Sequence, residues 1–118
     1  MSNEIGLEEL SERIGRGDGL VVAEVLPAAY YEAGHLPGAV NLPLDGLERS
    51  IARLAPSRET AIVVYCSGPT CRNSHAAAAR LAALGYGAVR VFAGGKAAWR
   101  DAGLALERPS AAAVEVQR

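Results

Sequence analysis

Residues 60–87 read TAIVVYCSGPTCRNSHAAAARLAALGYG and join the clearest strand pattern of the chain to its clearest helix pattern. The apolar run of residues 60–66 is typical of a strand that is buried on both faces of a sheet. Residues 73–84 predict a helix. The residues expected on its buried side are Ala76, Ala79, Leu81 and Leu84. The loop between strand and helix holds both cysteines of the chain, Cys66 and Cys71.

Strand and helix patterns alternate along the rest of the chain, which is typical of a parallel α/β sheet. Helical spacing covers residues 6–15, and the apolar run of residues 20–26 predicts a second buried strand. The other predicted elements are helical turns within 28–34, a short strand within 39–44, a helix capped by Asp45 that ends near Pro56, a strand at 88–92 and a last helix that carries Ala98 and Trp99. Ligands of such sheets bind beyond the carboxyl ends of the strands, where Cys66 is expected.

The length and composition predict one soluble domain. The chain has 118 residues, half of them apolar, and a net charge of −1. We expect the domain to span residues 1–106, with residues 107–118 as a frayed tail or a short terminal helix. The balanced charge argues against nucleic-acid and membrane partners. The acidic start of the chain does not have the pattern of a signal peptide, and no apolar run is long enough to span a membrane. These features favour a cytoplasmic location.

The two cysteines are expected to stay reduced in such a compartment, where a structural disulfide is rare. Their Cys-x4-Cys spacing is not a usual zinc pattern, and the two histidines do not complete one. We therefore expect no metal and no cofactor, and the cysteines remain as candidates for chemistry.

Cys66 is placed where a strand end, a helix start and a loop rich in hydrogen-bond donors meet. A helix N-terminus and a nearby arginine lower the pKa of a thiol, so we expect the pKa of Cys66 to be lowered. The alternative is an inert cysteine at the end of a buried strand, which the composition of the loop disfavours. The residues expected to surround a bound anion or substrate are Ser67, Gly68, Pro69, Thr70, Cys71 and Arg72.

Three segments, in order along the chain, resemble the rhodanese-like sulfurtransferase family in its single-domain form. They are YYEAGHLPGAVNLPL at 30–44, VVYCSGPTCRNSHAAAARLAALGY at 63–86 and VRVFAGGKAAWRDAGL at 89–104. The resemblance implies a three-layer α/β/α fold with a central parallel sheet of about five strands flanked by helices. The positions that it implies as structural motif residues are His35, Gly38, Gly94, Gly95 and Trp99.

The same resemblance implies a sulfurtransferase in which Cys66 takes a sulfane sulfur from a donor such as thiosulfate and carries it as a persulfide. Cyanide or a thiol then accepts the outer sulfur. The implied partners are a small-molecule sulfur donor and a thiol or cyanide acceptor, or a protein that carries a persulfide. The sequence does not indicate an oligomeric state.

Two features depart from the pattern of many family members. After the first buried strand those members have Asp-x-Arg, whereas this chain reads Glu24-Val25-Leu26 and lacks the arginine. The loop is also longer and contains a second cysteine. Cys71 is either a resolving cysteine, which attacks the Cys66 persulfide or pairs with Cys66 in a disulfide, or a residue packed into the protein.

Cys66 and Arg72 also have the Cys-x5-Arg spacing of cysteine-dependent phosphatases, and of the related phosphatases and arsenate reductases built on the rhodanese fold. Tyr65 argues against that class because those enzymes usually have histidine there, and Pro69 removes one amide donor. A non-catalytic binding or regulatory module is a third class, disfavoured because Cys66 is retained.

Four residues outside the loop also have expected roles. We expect His35 to fix a turn by hydrogen bonding to the backbone, a base for Cys66 being the alternative, and Trp99 to anchor the last helix. His75 is expected on the surface. Lys96, which follows two glycines, is expected near the mouth of the active site.

Overall fold

The structure, a computed structural model, describes residues 3–17 and 19–109. Its strands are β1 (Val21–Glu24), β2 (Val40–Asn41), β3 (Ile62–Tyr65) and β4 (Val89–Phe92). Its helices are α1 (Leu7–Arg16), α2 (Ala28–Ala33), α3 (Leu47–Leu54), α4 (Asn73–Ala83) and α5 (Gly95–Asp101). The strands form one parallel sheet in the order β2-β1-β3-β4. Helices cover both faces of the sheet, which confirms the predicted three-layer α/β/α class.

Strand β3 lies inside the sheet and is buried along its whole length. Ile62 and Val64 belong to the hydrophobic cluster that includes residues of α3 and α4. Val63 and Tyr65 belong to the opposite cluster, which includes residues of α1 and α5. Successive side chains of a strand point to opposite faces, so a strand between two helical layers needs an unbroken apolar run.

The described residues contain four strands, where about five were expected. The position outside β4 is occupied by residues 3–5, which form a single parallel bridge between Glu4 and Val91. Ile5 N donates to Val91 O at 3.0 Å, and Val91 N donates to Asn3 O at 2.9 Å. One bridge is too short to form a strand, and the expected count was wrong for this reason.

Helix α3 begins after Gly46 and not, as predicted, with a cap from Asp45. The N-cap position is Gly46, with φ of 75°, and no side chain donates or accepts a capping hydrogen bond there. Glycine takes this left-handed conformation without a steric penalty, and that freedom sets the entry of the chain into the helix.

The buried face of α4 also differs from the predicted one. Ala76 and Ala79 are exposed and Leu84 is half-buried, so Leu81 alone of the four expected residues is fully buried. The residues of α4 that are buried are Ser74, Ala77 and Leu81. Alanines occur on all sides of this helix, so the sequence has little contrast between its faces.

The chain after α5 returns to the segment that precedes β2. Glu107 and His35 form an antiparallel bridge, with N···O distances of 2.9 Å and 2.7 Å. Residues 110–118, which make up most of the predicted tail, lie outside the described residues. In the described part of the chain, none of the helices has the length and apolar character needed to cross a bilayer.

Candidate active site

The topology of the sheet selects the position of Cys66. The chain leaves β1 toward β2 on one side and leaves β3 toward β4 on the other side. Ligands of open parallel sheets bind at the carboxyl ends of the two strands where the direction of winding reverses. Cys66 directly follows β3 at this point, and residues 66–72, called here the cysteine loop, lead into α4.

The cysteine loop folds back on itself in a tight turn. Cys71 N donates to Gly68 O at 3.1 Å, which closes a turn with Pro69 at its second position. Proline is favoured there because its φ angle already has the value that the turn needs. At the helix start, Asn73 Nδ2 donates to Val25 O at 3.2 Å and ties α4 to the end of β1. The turn brings residue 71 back toward residue 66.

Helix α5 packs its first residues against the backbone of the cysteine loop. Lys96 N donates to Cys66 O at 3.0 Å, and Ala97 N donates to Ser67 O at 2.9 Å. Gly95 has φ of 61°, and a Cβ atom there would overlap the Cys66 carbonyl oxygen. Only glycine allows this close approach, so Gly95 helps to hold the cysteine loop in place.

The Cys66 side chain is buried, with 1% of its surface exposed. Its Sγ lies 3.4 Å from Cys71 O and 3.5 Å from Ser74 Oγ, and both oxygens can accept the thiol proton. Burial raises the pKa of Cys66, and its hydrogen bond to Cys71 adds to that effect, whereas the Ser74 hydroxyl and amide oppose it. The net pKa is raised, so the expected lowering of the Cys66 pKa was wrong.

Cys71 is half-buried, and its environment acts in the opposite direction. Burial raises the pKa of Cys71, but hydrogen bonds from the Cys66 thiol, the Asn73 amide, and the amide and hydroxyl of Ser67 outweigh it. The net pKa of Cys71 is lowered. The donors of the cysteine loop and of the start of α4 are therefore divided between two sulfur atoms, and the pKa of Cys71 is shifted down while that of Cys66 is shifted up.

The other loop residues face solvent to different degrees. Ser67, Pro69, Thr70 and Arg72 are exposed, and Gly68 is half-buried. Arg72 is the N-cap residue of α4. This exposure leaves the four side chains accessible to a substrate, and their roles toward a bound anion stay predictions.

A second polar group lies in the interior at the same end of the sheet. Glu24, the last residue of β1, is fully buried. Tyr65 Oη donates to Glu24 Oε1 at 2.8 Å and accepts a hydrogen bond from Leu36 N at 3.0 Å. Lys96 Nζ lies 3.1 Å from Glu24 Oε2 in an ion pair that lacks the alignment of a hydrogen bond. We call Glu24, Tyr65 and Lys96 the buried ionic cluster.

Lys96 is 7% exposed, so its expected position at the mouth of the active site was wrong. Its ammonium group donates to Tyr30 O at 2.7 Å and supplies, from α5, a positive charge beside the Glu24 carboxylate. Burial raises the pKa of Tyr65, and the Glu24 charge acts in the same direction, so the phenol keeps its proton and donates. The sequence signal for this cluster was a lysine at the start of a helix that packs on the strand ends.

The motif residues outside the loop lie in the surrounding framework. His35 is buried, its Nδ1 lies 2.9 Å from Tyr31 O, and its ring stacks on Tyr31 with centroids 3.8 Å apart. Gly38 has φ of 75° and donates its amide to Glu107 Oε1 at 2.9 Å.

The last two motif residues and His75 complete the surroundings. A Cβ atom at Gly94 would overlap the side chain of Ala98. Trp99 is 3% exposed and donates its Nε1 proton to Ala105 O at 3.0 Å. His75, expected on the surface, is half-buried. Trp99 thus links α5 to the chain that follows it.

The chain belongs to the rhodanese-like domain family, whose sequence profile matches residues 6–102. This finding confirms the resemblance seen in the three sequence segments. A sulfurtransferase of Allochromatium vinosum is 30% identical to the chain over 109 residues, which are 92% of this chain and 98% of that protein.

Two further proteins, one curated relative and one solved structure, are similar to the chain. An HTH-type transcriptional regulator of Mycobacterium tuberculosis is 35% identical over 99 residues, or 84% of this chain. The match spans only 42% of that regulator. A crystal structure of a protein from Bacillus halodurans has a TM-score of 0.83 and 32% identity, and covers 91% of this chain and 77% of its own. The fold is thus shared with solved structures over most of its length.

Proposed function

We propose that the protein is a sulfurtransferase that moves a sulfane sulfur from a donor such as thiosulfate to a thiol or to cyanide. The observation that carries the proposal is the position of Cys66 at the end of β3, held by the hydrogen bonds of α5 to Cys66 O and Ser67 O. Membership in the family and the likeness to the sulfurtransferase of Allochromatium vinosum support it.

The first step needs the thiolate of Cys66. We expect the thiol proton to be lost to solvent and the thiolate to be stabilised by the Ser74 hydroxyl and amide, which lower the pKa of Cys66. The Cys66 sulfur then attacks the sulfane sulfur of thiosulfate, a new S–S bond forms, and sulfite leaves with the electron pair of the broken bond. The higher pKa of Cys66 makes its thiolate the stronger nucleophile once formed.

The second step returns Cys66 to its starting form. An acceptor thiolate or cyanide attacks the outer sulfur of the persulfide, and the electron pair of the broken S–S bond returns to Cys66 Sγ. The Ser74 amide and hydroxyl, which lower the pKa of Cys66, are placed to stabilise this developing charge.

The test measures thiocyanate formed from thiosulfate and cyanide, with hydrolysis of an aryl phosphate measured beside it. We expect the native protein to form thiocyanate and Cys66→Ser to form none. Peptide mapping after donor treatment should find added sulfur on the peptide of Cys66. Aryl phosphate hydrolysis without thiocyanate would favour a phosphatase, and the absence of both activities and of added sulfur would favour a binding module.

A further inference from the structure

We propose that Cys71 is a second catalytic residue, which attacks the Cys66 persulfide at its inner sulfur, forms a Cys66–Cys71 disulfide and expels hydrosulfide. This inference rests on the proposed function, because it needs the persulfide on Cys66. With this step, the protein releases sulfide when an external acceptor is absent.

The turn of the cysteine loop supplies the proximity that this step needs. Cys71 N donates to Gly68 O at 3.1 Å, and this hydrogen bond folds the chain back on itself. As a result, Cys66 Sγ lies 3.4 Å from Cys71 O. A disulfide requires Cα atoms within about 7 Å, which a folded loop supplies and an extended one does not. The two cysteines also shift the pKa of one another, upward for Cys66 and downward for Cys71.

The position of Cys66 Sγ beside the Cys71 backbone favours the inner sulfur as the target. Cys66 Sγ, which becomes the inner sulfur of the persulfide, lies 3.4 Å from Cys71 O. An attack on the outer sulfur would need that atom to swing toward Cys71, whereas an attack on Sγ uses the arrangement already present.

The charge distribution of the cysteine loop favours Cys71 as the attacking group. Amides of Ser67 and Asn73 and the hydroxyl of Ser67 stabilise the Cys71 thiolate. Cys71 is half-buried and Cys66 is buried, so Cys71 exchanges its proton with solvent more readily. A thiolate held next to a sulfur electrophile is the reactive form in thiol–disulfide exchange.

The step balances without an oxidant. The Cys71 thiolate forms a bond to Cys66 Sγ while the S–S bond of the persulfide breaks, and the outer sulfur leaves as hydrosulfide with the electron pair. The sulfane sulfur is reduced to sulfide, and the two cysteines are oxidised to a disulfide. An external dithiol reduces this disulfide by exchange and readies the protein for another cycle.

The experiment treats the full chain with thiosulfate in the absence of oxygen, cyanide and thiols, and measures released sulfide and intact mass. We expect one sulfide per chain and a product that has lost two hydrogens, with Cys66 and Cys71 cross-linked in the peptide map. Addition of a dithiol should restore the starting mass. Oxygen is excluded because it could oxidise the two cysteines to a disulfide without any release of sulfide.

Two variants separate this inference from the proposed function. Cys71→Ser should gain the mass of one sulfur on Cys66 and release no sulfide, because the attacking thiolate is gone. Cys66→Ser should take up no sulfur and release no sulfide. Circular dichroism and the unfolding midpoint of each variant show that it is folded, and Cys71→Ala serves as a second replacement.

Three outcomes would overturn the inference. A native protein that keeps the persulfide and releases no sulfide would disprove the role of Cys71 and leave the sulfurtransferase intact. Sulfur uptake on Cys71 in Cys66→Ser would reverse the assigned order of the two cysteines. The absence of sulfur uptake by the native protein and by Cys71→Ser would remove the proposed function and this inference together.

Discussion

The buried ionic cluster and the cysteine loop lie at the same end of the sheet and use their polar groups in different ways. In the cluster, Glu24 and Lys96 are buried and bind one another, and Lys96 also binds a backbone carbonyl group. In the cysteine loop, two sulfur atoms share a set of donors, and four side chains remain exposed. Full charges are thus paired in the interior, whereas the two thiols lie in a loop whose other side chains are mostly exposed.

This difference indicates that the buried ionic cluster stabilises the fold, whereas the cysteine loop holds the groups proposed to react. A buried carboxylate needs a partner because an unpaired charge in the interior is costly. The helix that brings the partner, α5, is also the helix that binds the backbone of the cysteine loop. Pairing of Glu24 with Lys96 and placement of Cys66 are therefore coupled through one short helix, and substitutions can test each part of that coupling.

The largest expected effect belongs to Lys96→Met. Loss of the ammonium group leaves the Glu24 carboxylate buried without its cation, which costs about 3–5 kcal/mol when one partner of a buried pair is removed. Urea unfolding measures the change. The matched control is Arg100→Met, an exposed position on the same helix. The double variant Glu24→Gln/Lys96→Met should recover part of the loss, and equal stability of Lys96→Met and Arg100→Met would contradict the role of the cluster.

Gly95→Ala should have the next largest effect, because it strains both the helix start and the cysteine loop. A left-handed alanine costs about 1–2 kcal/mol, and the overlap with the Cys66 carbonyl oxygen adds about 1–3 kcal/mol. Gly103→Ala is the matched control, since Gly103 has φ of 80° and open space around a Cβ atom. We expect Gly95→Ala to lose more stability than the control and to lower the rate of thiocyanate formation. Equal losses would show that α5 tolerates a wider separation from the loop.

Tyr65→Phe should have a smaller effect on stability. The change removes the donor to Glu24 Oε1 and the acceptor for Leu36 N, two buried hydrogen bonds. We expect a loss of about 1.5–3 kcal/mol, the range for a hydrogen bond to a charged group. Tyr30→Phe is the control because Tyr30 is 56% exposed. Thermal unfolding of both variants would show whether the Tyr65 hydroxyl belongs to the cluster or only fills space.

The smallest expected effect is a difference between the two cysteines in the pH at which each is labelled. Because its pKa is lowered, Cys71 forms its thiolate at lower pH than a free thiol does. Because its pKa is raised, Cys66 forms its thiolate at higher pH. Iodoacetamide labelling against pH, read by peptide mapping, should therefore give a lower midpoint for Cys71 than for Cys66. Cys66→Ala removes one donor and should raise the Cys71 midpoint. Midpoints in the reverse order would contradict the division of donors, and the unfolded chain should show no difference.

The fold and the position of Cys66 could be predicted from local patterns. The apolar run before Cys66 and the helix after it need neighbours along the chain only, and parallel strand order places the loop at the ligand-binding edge. The buried ionic cluster could not be predicted in this way, because Glu24 and Lys96 are far apart in sequence and charged residues are usually exposed.

The direction of the Cys66 pKa could not be predicted either, for a physical reason. The sequence shows a helix start and an arginine, both of which lower the pKa of a thiol. It does not show how deeply the sulfur is buried or which of two cysteines receives the amides. In the structure, burial is the largest effect on Cys66, and the Asn73 and Ser67 amides act on Cys71.

The two edges of the sheet differ in length and in the pairing of their backbone groups. The outer edge of β2 is only two residues long and presents few free backbone groups. The outer edge of β4 is longer, and residues 3–5 cover it by pairing with both backbone groups of Val91. A shortened chain that lacks these residues would leave both backbone groups of Val91 unpaired, and an unpaired strand edge is a template for pairing with a neighbouring molecule.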